Sequence, residues 1–189
     1  MIRHRLLILL AFVFASIGVV QAQPGSSDAL SALGDGSIVL FRHAEAPGVG
    51  DPPQFKLGDC STQRNLDEEG RAQARRIGER FRAQGVKVGK VLHSQWCRTR
   101  ETAELAFPGQ AREAADFNSF FGDAARREAQ TERALAVLRA WRGPGVLVVV
   151  THQVNISAMT GGGAASAEGL VVRTRSGQAG AEVLARWRP

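Results

Sequence analysis

The chain has 189 residues, a length for one domain with a sizeable core, and a formal charge of +6 at pH 7. Arginine carries most of that charge, since Lys56, Lys87 and Lys90 are the only lysines, and the excess favours anionic partners. The basic residues are scattered among acidic ones and tyrosine is absent, so neither a basic stripe nor stacking aromatics indicate a nucleic-acid surface.

Arg3, His4 and Arg5 precede an almost wholly apolar run, Leu6 to Val20, followed by "VQAQP". This is the layout of a secretory signal peptide, residues 1–22, cut after Ala22. The run of about 15 residues is shorter than the roughly 20 of a spanning helix, so no stable membrane span is expected after cleavage. Retention of an uncleaved signal as an anchor is the competing reading. Export to the periplasm or beyond follows as the expectation. Residues 23–36, polar and small, read as a loose leader with a short helix over 28–33.

"SIVLF", residues 37–41, is a continuous apolar strand suited to a sheet covered on both faces. Residues 46–62 form a long loop with three prolines and three glycines, a size that suits a functional segment. A helix is predicted over 67–84, capped by Asp67, with Ala74, Ile77 and Phe81 on one face and Gly70 as an early blemish. "KVLH", residues 90–93, is a second strand, and 98–107 a second helix stopped by Pro108. Residues 112–123 read as irregular around Phe117, Phe120 and Phe121.

A third helix follows over 125–141, with Leu135, Leu138 and Trp141 as its buried stripe. "VLVVV", residues 146–150, is the central strand, 155–159 a short helical turn, and 169–173 and 182–187 two late strands at an edge. The order predicts an α/β domain over 37–189, a mostly parallel central sheet flanked by helices. No G-x-G-x-x-G or P-loop signature follows any strand, and the triple glycine at 161–163 lacks that context. Cys60 and Cys97 have no metal-site spacing; in an exported chain an even pair suggests a disulfide, with two buried free thiols as the alternative.

In open α/β sheets, sites form beyond the carboxyl ends of strands. The three predicted inner strands end at Arg42-His43, His93-Ser94 and Thr151-His152, so every histidine beyond residue 22 sits just past a strand. Three imidazoles admit a zinc site, but Arg42 and Arg98 nearby would repel a cation and no carboxylate completes a ligand pattern. A serine hydrolase would want G-x-S-x-G, which is missing, leaving Ser94 and Ser61 as weak nucleophile candidates. His93 is expected to satisfy a local hydrogen bond.

Three segments carry a resemblance: "RHAEA" with Arg42 and His43, "SQWCRTRETAE" with Ser94, Arg98, Thr102 and Ala103, and "VVVTHQ" with His152. In this order they resemble the histidine phosphatase superfamily, which includes cofactor-dependent phosphoglycerate mutases and phosphohistidine phosphatases, and a small exported branch of it in particular. Ala44 stands where that family usually has glycine. "NLDEEGRAQARRIGERF" resembles the family's first helix, and the likeness spans residues 37–161.

The resemblance implies a phosphoglycerate mutase-like fold and phosphoryl transfer through a phosphohistidine, with no metal and no cofactor. His43 would attack phosphorus, a step for which a neutral imidazole avoids anionic repulsion. Arg42 and Arg98 would hold the phosphoryl oxygens, and His152, protonated with phosphate bound, would add a contact. Arg64 is assigned to the phosphate or another anionic part of the substrate, Gln153 to the substrate, and Glu45 to orienting Arg42 or His43 or to a solvated loop. Where many relatives place an acidic glutamate, this chain offers Asp116 and Asp123 as proton donors, each of which could instead cap or face water. The expected substrate is a phosphorylated small molecule, an envelope sugar phosphate by analogy. Phosphohistidine or pyrophosphate hydrolysis and a noncatalytic phosphate-binding module remain alternatives, and a mutase is a distant third. Nothing defines an oligomer surface.

Overall fold

The structure, a computed structural model, describes residues 26–189, so the expected signal peptide lies outside the described residues. Six strands form one sheet: β1 (Ile38–Arg42), β2 (Val88–His93), β3 (Ala111–Glu113), β4 (Val146–Thr151), β5 (Gly169–Thr174) and β6 (Ala181–Trp187). Their order is β3-β2-β4-β1-β5-β6. The first four in that order run parallel, while β5 pairs antiparallel with β1 and β6 antiparallel with β5. The expectation of a mostly parallel sheet holds, and the two late strands do sit at an edge.

Strand side chains alternate between two cores, as a period of two requires. Val39, Phe41, Val91, Val148 and Val150 face one core; Ile38, Leu40, Leu92, Leu147 and Val149 face the other. Helices α2 (Glu68–Ala83) and α3 (Cys97–Ala106) cover the first face with Ile77, Phe81, Ala103 and Ala106. Helices α4 (Arg127–Ala140) and α5 (Gln153–Thr160) cover the second with Leu135, Leu138, Ile156 and Met159. Each large side chain so buried contributes roughly 1.5–3 kcal/mol.

The Asp67 cap forms as expected: its Oδ1 accepts from the Gly70 amide at 2.7 Å. Gly70 is no blemish. A Cβ there would lie 2.0 Å from the Glu45 carbonyl, so only glycine lets α2 start against the loop that leaves β1.

Three expectations need correction. The leader is not loose throughout: α1 (Ser26–Ser31) brings Leu30 into the first core at 1% exposure, with Ala29 and Leu33 against it. Burial of those apolar side chains outweighs the cost of ordering so short a helix. The segment expected to be irregular from residue 112 opens instead in the edge strand β3, because Ala111 to Glu113 find a parallel ladder beside Val91 to His93. Trp141 is only partly buried and ends, rather than shares, the stripe of α4.

Candidate active site

β1, β2 and β4 are neighbours in parallel, so their carboxyl ends open on one edge, with Arg42 beside Thr151 and His93 beside Val150. His43 and His152 are the residues that follow β1 and β4. The His43 amide donates to Thr151 O at 3.0 Å, which extends the ladder one step past the strand. Their rings lie 5.6 Å apart, nearly edge to face. A cavity of about 200 Å³ opens above them, and Arg42, Arg64, Arg98, His43, His152 and Gln153 line it.

His43 is 3% exposed. Its Nδ1 lies 2.7 Å from the Ala44 carbonyl, which only accepts, so Nδ1 carries the proton and Nε2 keeps its lone pair. Burial, the Arg98 charge and then Arg42 and Arg64 push its pKa down to about 3, against one raising contribution from that carbonyl. The imidazole is therefore neutral near pH 7, as a nucleophile must be. Ala44 is buried, without a left-handed φ, and its amide donates to Thr102 Oγ1 at 3.0 Å. The departure from glycine is thus accommodated.

His152 shows the opposite tautomer. Arg98 Nη2, a donor only, lies 3.5 Å from its Nδ1, so Nε2 carries the proton and donates to Ser94 Oγ at 2.7 Å. Burial first and Arg98 second hold its pKa well below 6.5. A phosphoryl dianion between the rings would push that value back up. Ser94, wholly buried and also bonded to Thr99, orients His152. Ser61 lies exposed in its turn against Asp59.

Three guanidinium groups converge at the cavity. Arg42 donates from Nη1 to the Ala164 carbonyl at 3.2 Å. Burial lowers its pKa, with Glu45 raising and Arg98 lowering it. Arg64 donates to the Ala46 carbonyl and, at 2.8 Å, to the Gly50 carbonyl. Arg98, 3% exposed, meets both oxygens of Asp51, at 2.7 and 3.2 Å. The buried Nε atoms of Arg42 and Arg98 have no acceptor among the described residues. Three guanidinium groups lining one cavity suit a tetrahedral anion.

Asp51 is the site residue that sequence reasoning missed. Besides Arg98, it accepts from the Trp96 indole at 2.9 Å and from the Arg64 amide at 3.1 Å. Burial alone would raise its carboxyl, but the Arg98 bonds and charge, then Trp96 and the Arg64 amide, hold it below the ordinary value. Trp96 in turn stacks on Phe55, 5.2 Å away, and presents an edge to His152.

Neither expected proton donor is at the cavity. Asp123 pairs with Arg126 and Asp116 with Arg133, both partly exposed, and neither lines the opening. The segment after β3 is anchored in the core by Phe117, which is fully buried. Glu45 makes no side-chain hydrogen bond to Arg42 or His43; it acts on Arg42 and Arg64 through charge. Gln153 lines the cavity, yet its Oε1 is engaged by the Ala164 amide at 3.0 Å, so it fixes the loop that meets Arg42. His93 is buried with Nδ1 2.7 Å from Ser94 O, the local bond expected of it. Cys60 and Cys97 are bridged, their Cα atoms 5.7 Å apart, joining the long loop to the start of α3. Among the described residues no three His, Cys, Asp or Glu side chains are grouped to hold a metal ion, and no helix is long and apolar enough to cross a membrane.

An arginine-floored cleft thus opens at the strand ends of this α/β sheet. Residues 38–113, less than half of the chain, match the family model described as the histidine phosphatase superfamily (branch 1). The chain is 35% identical over 68 residues to the mitochondrial serine/threonine-protein phosphatase Pgam5 of Drosophila virilis; that match spans 36% of this chain and 21% of the relative. The chain thus covers about a fifth of the length of such curated relatives. The fold is shared with phosphoglycerate mutase from Thermus thermophilus, with a TM-score of 0.57, 20% identity, and coverage of 81% of this chain and 99% of that one. It is shared also with the protein histidine phosphatase SixA, solved in complex with tungstate, with a TM-score of 0.56, 16% identity, and coverage of 81% and 97%.

Proposed function

We propose that this chain is a phosphatase that hydrolyses phosphomonoesters through a phosphohistidine on His43, without a metal ion. The observation that carries the reading is a neutral, buried imidazole with its Nε2 lone pair free, set among Arg42, Arg64 and Arg98. The three cations hold the phosphoryl oxygens and stabilise their charge in transfer, the role metal ions take at other phosphoryl-transfer sites. In the first step the Nε2–P bond forms and the P–O bond to the leaving group breaks. In the second, water attacks the phosphohistidine, phosphate leaves, and His43 returns to its neutral form.

Among the described residues no carboxylic acid lines the cavity to protonate the leaving oxygen. Substrates whose leaving group needs little help, such as phosphoramidates, pyrophosphates or aryl phosphates, therefore suit the site, and phosphohistidine hydrolysis is the second reading. We infer export to the periplasm or beyond, which the Cys60–Cys97 bridge supports because such bridges persist in oxidising compartments. Envelope sugar phosphates, which such a location offers, have leaving groups that need a proton and so suit this cavity less well than aryl phosphates.

The test is turnover of p-nitrophenyl phosphate, whose leaving group needs no acid, with and without chelator, by the wild type and by His43→Ala. Chelator-resistant turnover that the substitution abolishes is expected. Turnover that chelation removes and zinc restores would refute the metal-free mechanism. Tight phosphate binding without turnover on any phosphoryl compound would make the chain a binding module.

A further inference from the structure

The geometry points to a specific class of substrate: a phosphoryl group esterified to an aryl or similarly compact apolar group, which Val49 and Phe121 grip at the mouth of the cleft. The inference rests on the phosphoanion reading of the cavity floor and adds what the floor does not determine, the chemistry next to the phosphate.

The described chain exposes four large hydrophobic side chains, and two of them, Val49 at 88% and Phe121 at 59%, line this one cavity. Both exposures are built into the backbone. Gly48 and Gly50 take φ of +97° and +69°, which folds the tip of the loop and leaves Val49 at its apex. Phe121 follows two aromatic residues that are buried, Phe117 at 0% and Phe120 at 8%, so the segment is anchored in the fold without it. The two sides meet at Gly50, where a Cβ would lie 3.2 Å from the Phe121 ring. An apolar lip thus stands directly over a cationic floor. Val154 adds to the apolar lining, and Ser119 is the one neutral hydroxyl among the lining side chains.

Scattered exposed hydrophobics need no explanation, but a pair converging on a ligand cavity does. A polyol attached to the phosphate would meet few hydrogen-bonding partners there and would cover two apolar side chains with hydroxyls. An aryl group exchanges that cost for buried apolar area on both partners. The same class of leaving group departs without a proton, which matches a cavity with no carboxylic acid at its wall.

Phosphonates test this without bond cleavage, because their C–P bond does not break and leaving-group chemistry drops out. Phenylphosphonate and methylphosphonate are titrated into the wild type and into a Val49→Ser/Phe121→Ser double variant at a pH where both ligands are dianions. The wild type is expected to prefer phenylphosphonate by roughly tenfold, and the variant to lose most of that preference while binding methylphosphonate as before. Equal binding of the two by the wild type, or a preference that survives the double substitution, would overturn the inference. A polar analogue, 2-hydroxyethylphosphonate, binding tighter than phenylphosphonate would overturn it as well. Binding of neither phosphonate would overturn the phosphoanion floor together with it. An intact phenyl preference in a protein that hydrolyses nothing would leave the ligand class standing and sink the phosphatase reading alone.

Discussion

The floor of the cleft and its wall are held by different kinds of bonds. Arg42, His43, Ser94 and His152 sit where parallel strands end, and the His43 and Ser94 amides continue the ladder to Thr151 O and Val150 O. The wall, residues 46–66, has no strand and only one short 3-10 turn at Cys60–Thr62. It is pinned by side chains instead: Arg64 to two loop carbonyls, Asp51 to Arg98 and Trp96, Gln63 Oε1 to the Cys97 amide, and the disulfide. Repeating backbone bonds fix the reacting atoms, while single side-chain bonds fix what surrounds them. Substitutions in the floor should therefore strike the chemistry, and substitutions in the wall, apart from Arg64 with its cationic group at the cavity, should strike stability and tuning.

The largest effect that sharpens this contrast is expected at Arg98, a floor residue delivered by α3. Removing it in Arg98→Ala takes away charge that develops its value in the transition state. The kcat/KM for p-nitrophenyl phosphate should fall by about 10³-fold. A loss under tenfold would mean that Arg42 and Arg64 suffice, and the floor would not be the unit described. Next comes acid sensitivity. Unfolded histidine takes up a proton near pH 6.5, whereas folded His43 does so only near pH 3. Between those values the unfolded chain binds more protons, so stability falls as pH drops through that window, and His152 acts in the same direction. Urea unfolding at pH 7 and pH 5 should show the loss, with a shallower pH dependence in His43→Ala.

The same contrast explains what was legible in the sequence. Arg42, His43 and His152 were readable because an apolar strand announces its own end, and Arg98 because the motif around Ser94 fixes its place on α3. The disulfide was readable from an even cysteine pair. Asp51 was not, because its partners Trp96 and Arg98 lie 45 and 47 residues away and a loop has no period to reveal them. Its neighbours Pro52 and Pro53 marked only a turn. Asp116 and Asp123 were chosen for their place after the second helix, yet they pair with Arg133 and Arg126 and do not line the cavity, contacts that a segment without a period could not reveal. Gly70 looked like a flaw because its reason, the Glu45 carbonyl, is a contact between distant backbones.

The wall can be loosened at its covalent tie. Cys60 and Cys97 close a loop of 37 residues, and such a crosslink contributes roughly 3–4 kcal/mol by limiting the unfolded chain. A Cys60→Ser/Cys97→Ser variant should lose stability of that order in urea unfolding. Its kcat should stay within a fewfold of wild type, because Arg64, Gln63 and Asp51 still hold the loop. A collapse of kcat with little loss of stability would reverse the assignment and make the bridge part of the chemical machinery.

The smallest effect is expected where wall and floor touch. Asp51 orients Arg98 with a pair of bonds and also offsets its charge, and these two actions pull kinetic constants in opposite directions. Losing the orientation lowers kcat, since a guanidinium that wanders stabilises the transition state less well. Losing the negative charge strengthens the field on any anion in the cavity, which Asp51 now weakens. Asp51→Ala should therefore lower kcat by about 10–100-fold while making inorganic phosphate a tighter inhibitor. Asp51→Asn, which keeps the shape and removes the charge, should tighten phosphate similarly and lose less kcat. A general disturbance of the loop would weaken phosphate binding in both variants. Weaker phosphate binding in Asp51→Asn would show that the carboxylate serves the fold alone, and the line between floor and wall would have to be redrawn to exclude it.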